Sequence, residues 1–547
     1  MWRLERSRDR EGLQSKRPSN ASQFFSALLR RGPRLTGWRA DQIAMVMLTA
    51  ALLAVVLVTY ANYGFTVDET RGFARANRVY AFLRTAGSDN RIAEFKITNF
   101  YGAAPDVIAL LLQKLLPFLS YDARHLVFAL FGIVGILYVY KFGSTLVSPW
   151  TGVFAALFLA TTPMWFGYMF INHKDVSFAA MLIASSYYSI VALTATRTPP
   201  MLWLKLGVTV GLLATTKIVG LPILGFVVLV LVCCFMLFPS EHRILLNRAI
   251  VYRAAAMSAA AMVGIVICSL LFWPQLYLFR TDQVFGIVTT FLNFEEWKGT
   301  VLIFQKIYPK DMIPWYYASA YFLISTPLYL LVLAAAGLAC AIYQRTPAVI
   351  ASATIFLFVF AEQVMTGARV YNGCRHFLFV YPYFMLLAAY PAALMCEAVK
   401  NQVARAAFVG AVGLCVSATI VEMYKLFPYQ YSFYNELVGG FAGAAGKFEI
   451  DIWRSAEREA LDEIGSLSLG KDEVRIYSPG GSKLNYRIRP RFKRVERQED
   501  ADYAIALRRM CSSDTTRHCP LKFDVLSPVG EVRRKGVMLA RIYAVSR

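Results

Sequence analysis

Long apolar segments recur along most of the chain, and they constrain its fold more than any other feature. Most are about 17 to 22 residues long, which is the length that an α-helix needs to cross the roughly 30 Å hydrocarbon core of a bilayer. Hydrophobic residues make up 57% of the chain, which is too many for an ordinary soluble domain. The sequence therefore predicts an all-α polytopic membrane protein.

The apolar segments number about eleven, so we expect about eleven transmembrane helices. Two long polar or amphipathic stretches interrupt the series, at residues 62–125 and 273–319, and we interpret both as outer loops. The apolar segments are Ile43–Ala61, Leu126–Tyr140, Trp150–Phe170, Val176–Leu193, Leu202–Ile218, Leu221–Phe238, Ala254–Phe272, Ala320–Ile342, Val349–Val364, Phe377–Met395 and Ala406–Tyr424.

The distribution of basic residues orients the chain in the membrane. Residues 1–40 contain ten Lys or Arg and only three acidic residues, and such an excess marks the cytoplasmic side. An odd number of spans then places the C-terminus outside. The sequence therefore predicts a basic cytoplasmic arm (residues 1–42), a transmembrane domain (residues 43–426) and an exported C-terminal region (residues 427–547).

The residue pattern changes after the last apolar segment. A helix-like stretch, WRSAEREALDEIGSL, precedes the short runs EVRIYS, YRIRP, DYAIAL, KFDVL and VMLARIYAV. Short runs of this kind, separated by turn signals such as SPGGS, are typical of β-strands. We therefore predict a small α/β domain in the exported C-terminal region.

Seven of the nine cysteines lie in or beside apolar segments, where a small buried hydrophobe is the simplest interpretation. Cys511 and Cys519 lie instead in the exported C-terminal region. Disulfides form in oxidising compartments outside the bacterial cytoplasm. We therefore predict that Cys511 and Cys519 form a disulfide.

Charged residues at the ends of the apolar segments fall on one side of the membrane in this topology. The stretch INHKD is an outer loop, and so are the loops that contain TVDET and GCRHF. Lys217 is about 18 Å from the cytoplasmic Lys205 at 1.5 Å per residue, and therefore near the outer end of its helix. The residues that converge are Asp68, Glu69, His173, Lys174, Asp175, Lys217, Arg375 and His376.

Most of these residues also have a purely structural explanation. Thr66 and Asp68 are suited to cap a surface helix, and Lys174 and Arg375 are suited to anchor the chain at the membrane interface. Lys217 is harder to explain in this way, because an ammonium inside an apolar segment is costly unless it is paired or functional. Independent anchors would not require all of these groups on one side, which favours a functional site.

Carboxylates beside a cluster of Lys, Arg and His suit a reaction in which a lipid-linked phosphate is the leaving group. The cations would stabilise the charge that develops on the phosphate oxygens. A carboxylate would bind and deprotonate the hydroxyl that attacks the sugar. The chain has no Gly-rich nucleotide-binding loop, so we expect no soluble nucleotide donor. We also expect no nucleic-acid partner.

These residues give the chain a resemblance to the polytopic GT-C glycosyltransferases, which include the protein O-mannosyltransferases and the aminoarabinose transferases. A stretch typical of the bacterial members is also present at Phe427–Trp453, although Phe427 replaces a His of the family and Ile452 a Tyr. Asp68 and Glu69 match the family's acidic pair, and Asp175 matches its second acidic position. Lys217 matches the lysine of its TK motif, and Arg375 and His376 match its basic pair.

The resemblance implies a GT-C fold and transfer of a sugar, with inversion, from a polyprenyl-phosphate donor to an acceptor hydroxyl. The reaction would take place at the periplasmic face of a bacterial inner membrane. Together with the residue pattern, the resemblance gives the predicted roles. These are catalysis by Asp68 and Glu69, binding of the donor phosphate by Lys174, Lys217, Arg375 and His376, and a second carboxylate or divalent-metal site (Mg²⁺, Mn²⁺ or Zn²⁺) at Asp175 and His173.

The acceptor stays open between a glycan, a lipid and a protein, and the net charge of +22 favours an anionic one. A transporter or flippase of lipid-linked sugars is an alternative function, and a non-catalytic scaffold is another. Transporters bind their substrates near the bilayer midplane, whereas the charges here fall on one face. A scaffold would leave Lys217 and the NHKD stretch unexplained.

Overall fold

The computed structural model of the chain describes residues 34–35, 38–94, 101–117, 121–195, 197–238, 248–278, 299–367, 370–508, 521 and 526–545. Cys511, Cys519 and most of the basic N-terminal arm lie outside these residues. Their predicted pairing and location therefore stay predictions. The described residues form a helical part followed by a smaller C-terminal part that contains a sheet.

The helical part precedes residue 427 and contains two short hairpins in addition to its helices. The hairpins are β1 (Arg34–Leu35) with β2 (Trp38–Arg39), and β3 (Thr300–Ile303) with β4 (Lys306–Pro309). The helices are α1 (Ala40–Thr59), α2 (Val67–Arg84), α3 (Ala104–Leu115), α4 (Ala123–Leu146), α5 (Pro149–Ala160), α6 (Pro163–Ile171), α7 (Asp175–Thr194), α8 (Pro200–Thr216), α9 (Gly220–Leu237), α10 (Arg248–Phe272), α11 (Gln275–Leu278), α12 (Tyr317–Ser325), α13 (Leu328–Gln344), α14 (Pro347–Thr366), α15 (Tyr381–Ala398) and α16 (Gln402–Leu426).

Eight helices of the described residues have the length and hydropathy of a membrane span, and two bent helix pairs raise the number to as many as ten. The bent pairs are α5 with α6, at 63°, and α12 with α13, at 109°. Pro163 begins α6 and Pro327 precedes α13, and proline cannot continue the hydrogen-bonded turn before it. The helix α8 has only 17 residues. Eight to ten of the about eleven predicted spans therefore meet this test, and the remaining predicted span, Leu202–Ile218, corresponds to the shorter apolar helix α8.

Two of the spans lie at the centre of the helical part. Residues of α7 and of the span that ends with α15 are almost all buried inside the protein, whereas α1, α10 and α16 are mostly exposed. Exposed apolar helices suit contact with lipid. The central helices α7 and α15 therefore provide the rigid support on which the polar residues at their N-terminal ends are held.

Small residues bring α8 and α10 into close contact. A Cβ added to Gly264 would lie 1.9 Å from the carbonyl oxygen of Gly207, and one added to Gly211 would lie 2.3 Å from that of Gly264. Close helix approach at small residues is a common packing mode in membrane proteins, where lipid is as apolar as the side chains. These contacts hold α8, the helix that Lys217 follows, against α10.

The predicted outer loop at residues 62–125 contains the helices α2 and α3, neither of which has the properties of a membrane span. They pack on one another through a small apolar cluster that includes Ala76, Val79, Val107 and Leu110. Because α2 begins shortly after α1 ends, it lies at the membrane edge and carries Asp68 in its first turn.

The C-terminal part confirms the predicted small α/β region. Its five-stranded mixed sheet has the order β6-β5-β7-β9-β8, in which β5 is parallel to β6 and β7 while β9 is antiparallel to β7 and β8. The elements of this part are α17 (Gly440–Ala444), α18 (Glu457–Leu467), β5 (Val474–Tyr477), α19 (Lys483–Arg487), β6 (Phe492–Val495), β7 (Tyr503–Leu507), β8 (Leu526–Arg534) and β9 (Val537–Val545).

One predicted strand is wrong. The run YRIRP begins inside the short helix α19, and the strand β6 starts only at Phe492. The amide of Asn485 and the hydroxyl of Tyr486 both donate hydrogen bonds to the carboxylate of Glu457, at 2.7 and 3.2 Å. Neighbouring residues of a strand point to opposite faces, so these two contacts require a helical turn.

Candidate active site

Asp68 is positioned by the way in which α2 begins. The hydroxyl of Thr66 accepts a hydrogen bond from the backbone N–H of Glu69 at 3.2 Å, and the Glu69 carboxylate accepts one from the N–H of Thr66 at 2.7 Å. This reciprocal capping box fixes the first turn of the helix. Neighbouring residues on a helix point about 100° apart, so Asp68 and Glu69 face different surroundings.

Glu69 faces the protein interior. Its side chain is fully buried, and the carboxylate oxygen that the capping box does not use lies 3.0 Å from Nε2 of His125. The ring of His125 is held in turn by the backbone oxygen of Tyr60, 3.1 Å from Nδ1. Glu69 is therefore turned into the protein interior, which leaves Asp68 as the member of the acidic pair that a substrate can reach.

Two cations from distant parts of the chain converge on Asp68. Its Oδ2 lies 3.5 Å from Nζ of Lys174 and 3.4 Å from Nη1 of Arg375, and its Oδ1 lies 3.9 Å from Nη1 of Arg71. Burial alone would raise the pKa of Asp68, but the charges of Lys174 and Arg375 outweigh burial and hold the pKa well below its usual range. Asp68 is therefore an ionised carboxylate.

The polar stretch INHKD is the turn between α6 and α7, and Asn172 shapes it. The side-chain amide of Asn172 donates to a carboxylate oxygen of Asp175 at 2.7 Å, while its carbonyl oxygen accepts the backbone N–H of Asp175 at 3.0 Å. These paired bonds close the turn at the start of α7. Lys174 is thereby directed to Asp68, and Asp175 to a different partner.

That partner is Lys217. The ammonium of Lys217 forms an ion pair with Oδ1 of Asp175, and both side chains are largely buried. The ammonium also lies 5.3 Å from the ring centre of Phe178, a distance at which a cation is attracted to an aromatic face. The charge that was costly inside an apolar segment is therefore paired at the end of α8.

Arg375 is held in position by aromatic rings and by its neighbour in the chain. Its guanidinium lies 5.0 Å from the ring centre of Tyr371 and 4.8 Å from that of Trp453. Its Nε donates to Nε2 of His376 at 3.1 Å. His376 therefore acts on the site through Arg375, which it orients toward Asp68.

His173 points away from Asp175. Its Nε2 lies 3.4 Å from Oδ2 of Asp106, and burial lowers the pKa of His173 to about 3. His173 and Asp175 therefore do not share one ligand position. No group of three or more His, Cys, Asp and Glu side chains is arranged to hold a metal ion within the described part of the chain. The predicted divalent metal stays a prediction.

A buried charge cluster that the sequence interpretation missed supports His173. Asp106, on α3, forms an ion pair with Nη2 of Arg124 at 2.5 Å, and both side chains are buried. A Cβ added to Gly72 would lie 2.3 Å from the Asp106 carboxylate. The helices α2 and α3 can therefore pack this closely only because residue 72 has no side chain. The cluster links α2, α3 and α4 to the NHKD turn. Charged residues at buried positions are expected to be paired, but the sequence does not name the partner.

The C-terminal part holds the segment that leads into Asp68. The side chain of Asn485 accepts the backbone N–H of Phe65 at 3.1 Å and donates to the backbone oxygen of Phe65 at 3.4 Å. The guanidinium of Arg458 donates to the backbone oxygen of Tyr63 at 3.0 Å and to the Asp122 carboxylate at 2.5 Å. The C-terminal part is therefore built into the site.

An open cavity of about 260 Å³ lies beside Asp68. Its lining comes from the start of α2, from the turn before Arg375 and from the C-terminal part. The lining residues are Val67, Asp68, Arg71, Asn372, Ile452, Trp453 and Arg454. The site thus combines an accessible carboxylate, buried cations behind it and space for a substrate in front of it.

The fold and the one-sided polar site define the chain as a membrane protein of the GT-C glycosyltransferase fold. The structure is similar to that of ArnT from Cupriavidus metallidurans in the apo state, with a TM-score of 0.50 and 14% sequence identity over 90% of this chain and 97% of that one. Residues 106–273 match the model of the family described as dolichyl-phosphate-mannose-protein mannosyltransferase. The predicted resemblance is confirmed for the fold.

Two further structures are less similar. ArnT from Cupriavidus metallidurans bound to undecaprenyl phosphate has a TM-score of 0.48 and 14% identity, with 91% of this chain and 97% of that one covered. The archaeal oligosaccharyltransferase AglB from Archaeoglobus fulgidus, in complex with an inhibitory peptide and a dolichol-phosphate, has a TM-score of 0.46 and 12% identity, with coverages of 93% and 74%. No curated protein gives a significant sequence match.

We expect Asn485→Ala to destabilise the segment before Asp68. The change leaves the buried N–H and carbonyl of Phe65 without their partner, and each unsatisfied buried group costs about 1 to 3 kcal/mol. Thermal unfolding in detergent should show a lower Tm, and hydrogen exchange should become faster at residues 63–70. Asn401→Ala is the matched control, since the Asn401 side chain also makes two backbone hydrogen bonds but is exposed. Equal Tm values for the two variants would contradict this role of Asn485.

Proposed function

We propose that this chain transfers a sugar, with inversion, from a polyprenyl-phosphate donor to an acceptor hydroxyl. The observation that carries the proposal is the position of Asp68, a carboxylate backed by two cations and still open to a cavity. The description of the matched family names a sugar carried on dolichyl phosphate. This description supports a polyprenyl-phosphate donor. The identity of the sugar is left open by these residues.

The cations beside Asp68 and Asp175 suit the donor phosphate. Lys174, Lys217 and Arg375 each carry a positive charge at the membrane edge, where a lipid-linked phosphate would lie. As the bond between the sugar and the phosphate breaks, negative charge grows on the phosphate oxygens, and preorganised cations stabilise it. Arg375 is suited to a bidentate contact and the lysines to point contacts. His376 holds the Arg375 guanidinium in place.

Asp68 suits the role of the catalytic base. The acceptor oxygen attacks the anomeric carbon of the sugar and forms the new C–O bond, while the polyprenyl phosphate leaves with the electrons of the old one. The acceptor proton passes to the Asp68 carboxylate. Donor phosphate would compete with Asp68 for Lys174 and Arg375, so its arrival would raise the pKa of Asp68 toward the usual value and make the carboxylate a better base.

Inversion is supported by the arrangement of the carboxylates. A single displacement needs one base, and Asp68 is the carboxylate that lines the cavity. Glu69 is fully buried, and Asp175 is paired with Lys217. Transport of lipid-linked sugars is not favoured, because the charged residues lie at the ends of α7 and α8 and before α15, and transporters bind substrates near the midplane.

We also propose that the site faces the periplasm of a bacterial inner membrane, with the N-terminus in the cytoplasm. The excess of basic residues before α1 supports this orientation. Alkaline phosphatase fused after Arg547 should be active, and fluorescent protein fused after Arg345, at the end of α13, should be fluorescent. A fusion after Arg547 that is active only in the cytoplasm would reverse the orientation.

We expect Asp68→Asn to abolish sugar transfer while donor binding is kept. Asparagine preserves the shape but removes the basicity, and loss of a positioned base typically costs 10² to 10⁴ in rate. The measurement is loss of label from a radiolabelled polyprenyl-phosphate sugar in proteoliposomes supplied with an envelope extract. Glu69→Gln is the matched control, because glutamine is accepted in a capping box, and it should keep more than about a tenth of the rate. The reverse pattern would exchange the two roles.

We expect Lys217→Met to weaken donor binding by roughly one to two powers of ten, because a charge-assisted hydrogen bond is worth about 1.5 to 3 kcal/mol. The affinity is measured by the binding of radiolabelled undecaprenyl phosphate. Lys205→Met, toward the other end of α8, is the control. The change also leaves Asp175 unpaired and should lower Tm. The double variant with Asp175→Asn should recover Tm but not binding. Recovery of both would reduce Lys217 to a structural residue.

A further inference from the structure

The two oxygens of the Asp68 carboxylate face different surroundings. Oδ2 lies against Lys174 and Arg375, whose side chains are only 15% and 10% exposed. Oδ1 lies toward Arg71, whose side chain is 60% exposed. The first oxygen is therefore on the side of the buried cations, and the second is on the side of the open cavity.

The cavity presents charged side chains to a substrate. Of its seven lining residues, Asp68, Arg71 and Arg454 are charged, and Val67 and Ile452 are the aliphatic ones. A polyprenyl chain would require an apolar lining to leave water at no cost. The cavity therefore suits the second substrate, whose hydroxyl would approach Oδ1.

Arg454 is fixed in the cavity wall by an unusual backbone. Its φ is +60°, a conformation that residues other than glycine and asparagine rarely adopt. Its Nη1 donates to the backbone oxygen of Gly480 at 2.7 Å, and a Cβ on Gly480 would lie 2.1 Å from that nitrogen. Strained residues of this kind cluster at functional sites. The bare backbone of Gly480 leaves room for the guanidinium.

A second lining residue has the same backbone conformation. Asn372 has a φ of +60° and is followed by Gly373 at +67°, and asparagine tolerates this region better than other side chains do. Trp453 connects this wall to the buried cations, because it lines the cavity and also contacts the guanidinium of Arg375. The cavity is thus formed jointly by the helical part and the C-terminal part.

We infer that this cavity is the acceptor subsite, and that the acceptor carries an anionic group, a phosphate monoester or a carboxylate, close to the hydroxyl that reacts. The inference rests on the proposed function, in which Asp68 takes the proton of that hydroxyl. Arg71 and Arg454 lie on the same cavity as Asp68 but come from segments about 380 residues apart. Guanidinium groups bind phosphate and carboxylate through paired hydrogen bonds, so an anion between them would hold the hydroxyl at Oδ1.

A pair of probes that differ only by a phosphate tests this inference. Glucose 6-phosphate and glucose are titrated against the full-length protein in detergent, and binding is measured by saturation-transfer-difference NMR. We expect glucose 6-phosphate to bind at least ten times more tightly than glucose. Arg71→Gln and Arg454→Gln should each remove most of this preference. Arg84→Gln, an exposed arginine at the far end of α2, should leave it unchanged.

Arg71→Gln keeps the experiment decisive if Arg454→Gln fails to fold, because Arg71 is exposed on the surface of a helix. Retention of undecaprenyl phosphate by the same variants, measured by native mass spectrometry, separates this inference from the proposed function. Variants that keep the lipid but lose glucose 6-phosphate support the acceptor subsite. Variants that lose both would assign the cavity to the donor. Equal binding of glucose and glucose 6-phosphate by the unchanged protein would overturn the anionic acceptor and leave the role of Asp68 untouched.

An anionic group close to a hydroxyl can belong to a soluble acceptor or to one anchored in the membrane. Phosphatidylinositol 4-phosphate in phosphatidylcholine nanodiscs presents a hydroxylated ring with a phosphate at the membrane surface. Tighter binding of this lipid than of glucose 6-phosphate, lost in Arg71→Gln, would identify a membrane-anchored acceptor. Tighter binding of glucose 6-phosphate would identify a soluble one. Failure of both probes to respond to Arg71→Gln would contradict the inference.

Discussion

The ion pairs of Asp68 join parts of the chain that are far apart in sequence, and the whole candidate site depends on them. Lys174 and Arg375 are 106 and 307 residues away from Asp68. A charge that leaves water at the edge of a membrane is stable only beside an opposite charge. Because α2, the NHKD turn and the turn before α15 each contribute one of these charges, none of the three can be moved without leaving a buried charge unpaired.

The same dependence explains why the charges around the site are arranged in layers. Asp175 and Lys217 neutralise one another at the ends of α7 and α8, and Asp106 and Arg124 do so beneath His173. These pairs fix the turn on which Lys174 stands, and the capping box of α2 fixes Asp68. The accessible carboxylate therefore rests on charges that are already paired with one another. Under the proposed function, its own two cations would be shared with an incoming phosphate.

The sequence was enough to predict that the charged residues converge on one side of the membrane. Successive spans cross the membrane in opposite directions, so their lengths and order determine which helix ends lie on the same side. Asp68, Lys174 and Arg375 meet for this reason, and so do Asp175 and Lys217. The predicted β-runs at EVRIYS, DYAIAL and VMLARIYAV correspond to β5, β7 and β9. The GT-C fold followed from the order of the motifs, each of which is weak alone.

Other features depend on contacts between distant residues and could not be predicted from local patterns. Helix packing determines that Glu69 lies beside His125 and Asp106 beside Arg124. That packing cannot be derived from a single sequence. The contact between Asn485 and Phe65 spans 420 residues. The bends at Pro163 and Pro327 could have been predicted, since proline marks such breaks. The apolar segments continue on both sides of each proline, so each bent pair was interpreted as one span.

The division of the site between two parts of the chain has a consequence for specificity. The cations that suit a donor phosphate, Lys174, Lys217 and Arg375, belong to the helical part, whereas Trp453 and Arg454 of the cavity belong to the C-terminal part. Substitutions near residues 452–454 can therefore alter what the cavity accepts without touching Lys174 or Lys217. Arg375 connects the cations to the cavity wall, because its guanidinium lies against Trp453 and also beside Asp68. Under the proposed function, such a chain would keep its donor while its acceptor changes, as long as the Trp453 ring that supports Arg375 is preserved.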